Sequence, residues 1–185
     1  MKFVDHSKLK GQHAFLSASK YSWLNYSEDQ VADAYSKRMA QARGIILHDF
    51  AARCITLNQR LPKSKKTLNS YVNDAIGFKM TPEQVLYYSD NCYGTADAIC
   101  FRDMFLRIHD LKTGETPAHI EQLLIYAALF CLEYKVNPRD LKGCELRIYQ
   151  SDDYFVYIPS PEELIDISNK IIRFDKIIEK MKETE

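Results

Sequence analysis

Two stretches rich in branched and aromatic residues, Gly94–Phe101 and Phe105–Lys112, are joined only by Arg102, Asp103 and Met104. A link that short makes a hairpin. With Asp103-Met104 as a two-residue turn, Arg102 pairs with Phe105 and, counting back, Asp97 falls opposite Asp110. The two carboxylates then lie roughly 5 Å apart at the backbone. Period-two alternation puts Asp97, Ile99 and Phe101 on the face that carries Leu106, Ile108, Asp110 and Lys112. Paired acids on an apolar face repel each other and are costly to desolvate, so something must compensate. A divalent metal is the simplest answer, and hard oxygen ligands favour magnesium or manganese. Lys112, pointing the same way, suits a role on an attacking water or on charge developing at a phosphate.

The rest of the chain frames that hairpin. Gln84–Ser89 reads as a preceding strand, although Thr81-Pro82-Glu83 also suits the cap of a helix. Upstream, Ser17 suits the cap of a short helix carrying Tyr21, Trp23 and Leu24. Ser27 and Gln30 form a capping box for a helix through Met39. A second helical stretch runs from Gly44 to about Gln59. The basic run Arg60–Lys66 breaks the pattern before a weak helix from Thr67 to about Ile76. Downstream, Pro117 opens an apolar helix to about Tyr134. Cys144–Gln150 and Tyr154–Ile158 form a hairpin around Ser151-Asp152-Asp153, and an amphipathic helix covers Pro161–Lys182. Helices, three strands, helix, two strands, helix describe an α/β protein with a mixed sheet flanked by helices.

At 185 residues the chain has length for one core, so a single domain over residues 1–185 is expected. Basic and acidic residues balance at 25 each, which argues against a global field for nucleic acid or membrane. The distribution is uneven: residues 1–66 carry 12 basic against 5 acidic, and residues 67–185 carry 13 against 20. A basic front suits phosphate and an acidic rear suits metal. The five cysteines are odd in number and lack a C-x-x-C pair, which favours a reduced, intracellular protein over a zinc knuckle or disulfide framework. No apolar run reaches the ~18–20 residues of a membrane span, and no signal-peptide region opens the chain, so a cytoplasmic location without membrane association is expected.

Gly94-x-x-Asp97, then Asp110-x-Lys112-Thr113-Gly114, then Gln122-x-x-x-Tyr126 resembles the PD-(D/E)XK nuclease superfamily, in its RecB-like branch of phage exonucleases and CRISPR adaptation nucleases. His48, within Gly44-Ile45-Ile46-Leu47-His48, is similar to that branch's upstream helical histidine. The Ser17-Ala18-Ser19-Lys20 opening is similar to the first helix of phage members. The resemblance covers about residues 15–158 and implies a restriction-endonuclease-like core of αβββαβ type. It implies His48, Asp97, Asp110 and the Leu111 carbonyl as metal ligands, Lys112 as the catalytic lysine, and Gln122 and Tyr126 completing the site. The implied activity is magnesium- or manganese-dependent hydrolysis of DNA, as an exonuclease of recombination or repair, of phage type. DNA is the implied partner, with a homo-oligomer or a recombination protein beside it. Some members bind an iron-sulfur cluster, but the required downstream cysteines are missing, so no such cluster is expected. The competing reading is an inactive nuclease-fold subunit that binds DNA or assembles through its last helix.

Ordinary readings stand beside these. His48 suits a core or capping histidine, and Asp97 and Asp110 suit partners for Arg102 or Arg107. Lys112 suits a strand-end surface lysine. Gln122 and Tyr126 suit a helix surface and core. His109 falls on the opposite sheet face and reads as structural. Arg60, Lys63, Lys65 and Lys66 suit either phosphate contact or a solvated loop. Tyr87, Tyr88 and Tyr93 suit strand packing before base stacking, and the cysteines read as small buried hydrophobes.

Overall fold

The computed structural model describes residues 4–114 and 117–184, in two units, Met1–Arg43 and Gly44–Glu185. In the first, 3-10 segments at Ser7–Leu9 and Ala18–Asn25 precede a helix that starts at Glu28. The expected short α-helix after Ser17 is therefore a 3-10 segment. Ser17 makes no side-chain cap, and its carbonyl instead accepts from Trp23 Nε1 at 2.9 Å. The capping box at the next helix is complete. Ser27 N–H donates to Gln30 Oε1 at 2.8 Å, and Gln30 N–H donates to Ser27 Oγ at 3.3 Å. None of the residues 4–43 is buried.

That helix, α1, runs unbroken over Glu28–Thr56, where two stretches had been expected. Gly44 in its interior costs roughly 1 kcal/mol relative to alanine, too little to stop a helix of this length. The second unit continues with α2 (Thr67–Gly77), β1 (Thr81–Ser89), β2 (Cys92–Arg102), β3 (Phe105–Leu111), α3 (Glu121–Glu133), β4 (Gly143–Gln150), β5 (Asp153–Tyr157) and α4 (Pro161–Lys182). Thr81-Pro82-Glu83 thus opens a strand and caps no helix. The apolar helix starts four residues past Pro117.

The five strands form one mixed sheet in the order β1-β2-β3-β4-β5. β3 and β4 are parallel, and the other neighbours are antiparallel. Asp103 and Met104 both have positive φ, 53° and 62°, the geometry of a primed hairpin turn. Pairing runs from Arg102↔Phe105 to Ala98↔His109 as expected, which leaves Asp97 and Asp110 as the next positions along. Parallel strands need a long crossover, and α3 lies within it.

Two apolar layers sandwich the sheet. On one side Leu106, Ile108, Leu123 and Leu146, all fully buried, pack with α3 and with Leu164 of α4. On the other Val72 and Ala75 of α2 and Ala51 of α1 meet Ala98, Leu111 and Tyr149. Each buried leucine or isoleucine contributes about 1.5–3 kcal/mol. Long-range polar contacts pin the helices. Asp152, in the β4–β5 turn, accepts the Thr67 N–H at 2.9 Å and so caps α2. Asp175 of α4 accepts from Ser89 and Asn91 at the β1–β2 turn. No helix among the described residues is long and apolar enough to cross a membrane.

Candidate metal centre

The strict alternation expected around Asp97 does not hold. Ala96 belongs to the α3-side core, Ala98 to the α2-side core, and Ile99 to the α3 side again, so the facing slips by one residue at Asp97. Across the β1–β2 ladder Glu83 lies between Pro82↔Ala98 and Gln84↔Ala96, and its φ of 50° marks the same irregularity. Asp97 Oδ2 accepts the Leu111 N–H at 2.8 Å and lies 3.4 Å from His48 Nδ1. A side chain here takes over from the ladder.

His48 reaches this point because α1 comes close to the end of β3. A Cβ built on Gly44, one turn before His48, would sit 2.8 Å from Thr113 Oγ1. Glycine permits that approach. His48, Glu83 and Asp97 each offer a ligand atom, all within 4.8 Å of one another. Sequence reasoning missed Glu83 because it started β1 at Gln84, three residues late. Counting back across the Asp90-Asn91 turn would have put Gln84 opposite Asp97; the register shift between Tyr87 and Ser89 brings Glu83 there instead.

Asp110 lies beside this trio. It is 2% exposed, and its Oδ2 is buried without a hydrogen-bond partner. Lys112 Nζ stands 2.9 Å from that oxygen as an ion pair and hydrogen-bonds Oδ1 at 3.2 Å. The ammonium also donates to Gln122 Oε1 at 2.8 Å, and Gln122 Nε2 donates to the Tyr126 hydroxyl at 3.0 Å. Gln122 and Tyr126, four apart on α3, thus share a face as expected. Leu111 is buried at the end of β3, and its N–H is the group that meets Asp97.

Charge crowding shows in the titration of the group. Burial first, and then Asp97, pushes the Asp110 carboxyl above its ordinary value. The same two causes raise Glu83. The hydrogen bond to Asp97 raises His48. Buried Tyr71, near all three carboxylates, is held well above the usual phenol range, chiefly by burial. Three carboxylates and an imidazole are donor types that a divalent cation such as magnesium or manganese takes.

The other named residues lie elsewhere. His109, fully buried, faces the α2 side between Phe78 and Tyr149, as its structural reading requires. Arg107 partners no acid of the centre. It stacks over Phe105 and Phe78 and lies 3.5 Å from Glu145. Tyr87 and Tyr93 stack on each other. All five cysteines are free, but only Cys54, Cys131 and Cys144 are buried, so Cys92 and Cys100 correct the expectation of uniformly buried thiols. Compared with known proteins, the chain matches no family model, no curated protein and no solved structure.

Proposed function

We propose that this protein is a magnesium- or manganese-dependent deoxyribonuclease with a restriction-endonuclease-like core, of the RecB-like PD-(D/E)XK type, acting as an exonuclease. One observation carries the reading. Buried Asp110, ion-paired to the Lys112 ammonium at 2.9 Å, is charge-coupled to a cluster of two further carboxylates and an imidazole. A purely structural Asp110–Lys112 ion pair does not account for the crowding of Glu83 and His48 against Asp97.

In this reading His48, Glu83, Asp97 and Asp110 hold the cation. When bound, it supplies Lewis-acid polarisation of the scissile phosphate and a lowered pKa for its water. The chain's own residues do the rest. Leu111 N–H fixes the Asp97 carboxylate. Lys112, held by Asp110 and Gln122, sets a positive charge against the charge that develops on the phosphate. Gln122 and Tyr126 hold the ammonium in register.

The test is degradation of linear and of covalently closed circular DNA, with manganese and with EDTA. Metal-dependent loss of linear DNA alone supports the reading. Equal loss of both removes the exonuclease assignment, and no cleavage under any condition removes the enzyme.

A further inference from the structure

Gly94 stands in the interior of β2, opposite Leu86, where glycine weakens a strand and marks a close approach. The group that approaches is Tyr126. A Cβ on Gly94 would lie 2.9 Å from Tyr126 Cε1, 3.7 Å from its hydroxyl oxygen and 3.8 Å from Cδ1. Real Cβ atoms do not come within 3.0 Å of a neighbour, so one of the two must move. The ring is partly buried and rests on the α3-side core along one side.

The ring is also the far end of a side-chain relay. Its hydroxyl receives Gln122 Nε2 at 3.0 Å, and this turns the other end of the amide, Oε1, toward Lys112 Nζ at 2.8 Å. An amide whose nitrogen is anchored presents its oxygen in one direction only. Were the hydroxyl displaced, the amide would lose its anchor. Lys112 would then keep Asp110 alone, 2.9 Å away.

We propose that Gly94 is a positioning residue for the Lys112 ammonium, acting through Tyr126 and Gln122 by leaving the space that the tyrosine ring occupies. The inference deepens the nuclease reading and rests on it for its kinetic consequence. Its structural part stands apart from that reading. Three residues upstream of Asp97, Gly94 serves the lysine side of the site and leaves the metal side untouched.

The test is a double-mutant cycle of Gly94→Ala and Tyr126→Leu, which removes the ring that the new methyl would strike. Two readouts are followed: single-turnover cleavage of linear DNA in saturating manganese, and the Lys112 side-chain resonance, assigned by its loss in Lys112→Arg. Gly94→Ala should move the resonance and slow cleavage by about 10–100-fold, as sub-ångström misplacement does, with manganese affinity within about twofold of wild type. In the Tyr126→Leu background the same substitution should change neither readout. Equal effects in both backgrounds, or an unmoved resonance in Gly94→Ala, would overturn the proposal. If Gly94→Ala fails to fold, the double variant should fold because the clash is gone, and its failure counts against the proposal. If wild type cleaves no DNA yet the resonance follows the cycle, the nuclease reading falls and the positioning role stands.

Discussion

The backbone N–H of Leu111 donates to Asp97 Oδ2 at 2.8 Å, so β2 and β3 are joined at this point through a side chain. One oxygen of Asp97 is committed to holding the two strands together. An asparagine can keep that bond through its amide oxygen while losing the charge. Asp97→Asn should therefore fold, yet bind manganese too weakly to measure by calorimetry and cleave no DNA. Unchanged manganese affinity would remove Asp97 from the ligand set.

Asp110→Asn separates charge from packing by pH. A carboxyl raised in the folded state costs stability as pH rises from its ordinary value, 3.8, through the raised one, because the unfolded chain ionises first. In EDTA the wild type should lose more stability across that window than Asp110→Asn, in which raised Glu83 still titrates. Above the window the variant should melt about 2–4 °C higher, the effect of about 1 kcal/mol on a chain of this size. Thermal melts at several pH values check this, and parallel curves would refute it.

Glu83→Gln should weaken manganese binding at least about tenfold, as loss of even an outer partner does, and should lower the raised titration of His48, to which the Glu83 charge contributes. His48→Ala should cost less activity than either aspartate. Calorimetry and cleavage rates over the four variants decide the order. A Glu83 variant that binds like wild type would reduce the centre to Asp97, Asp110 and His48.

Lys112→Ala should bind manganese and DNA within a few-fold of wild type and cleave roughly 100–1000-fold more slowly, the usual loss for an electrostatic transition-state group. Arginine should restore only part of the rate, since guanidinium keeps charge but accepts no proton. Single-turnover rates beside DNA affinity in calcium give the answer. Affinity that falls as steeply as rate would assign Lys112 to binding.

Away from the centre, His109 and Arg147 hold the Glu145 carboxyl down at about 2, with Arg147 Nε donating to it at 2.9 Å. A depressed acid contributes stability above its unfolded value, 4.5, that is lost as pH falls through about 2. Glu145→Gln should therefore be less stable at neutral pH, and its stability should change less between these values. Urea unfolding at pH 6, 4 and 3 tests the sign.

The hairpin at Asp103-Met104 was legible because a two-residue link leaves one register. The span of α4 was legible because Pro161 opens it and its apolar positions keep period. The facing of Asp97 was not legible. Alternation carries no sign of the slip between Ala96 and Ile99, which depends on Glu83 adopting positive φ across the ladder. α1 was misread as two helices because an interior glycine looks like a stop until its neighbour is known, and that neighbour is Thr113, far along the chain. The Gln122–Tyr126 pair was legible as spacing, whereas the dependence of that pair on Gly94 needed coordinates.

The carboxylate that caps α2 comes from Asp152, 85 residues downstream of Thr67. During synthesis at ~5–20 residues per second, the first turn of α2 therefore waits ~4–17 s for its partner. Until the β4–β5 turn has left the ribosome, the helix that covers Ala98, Leu111 and Tyr149 has an open end.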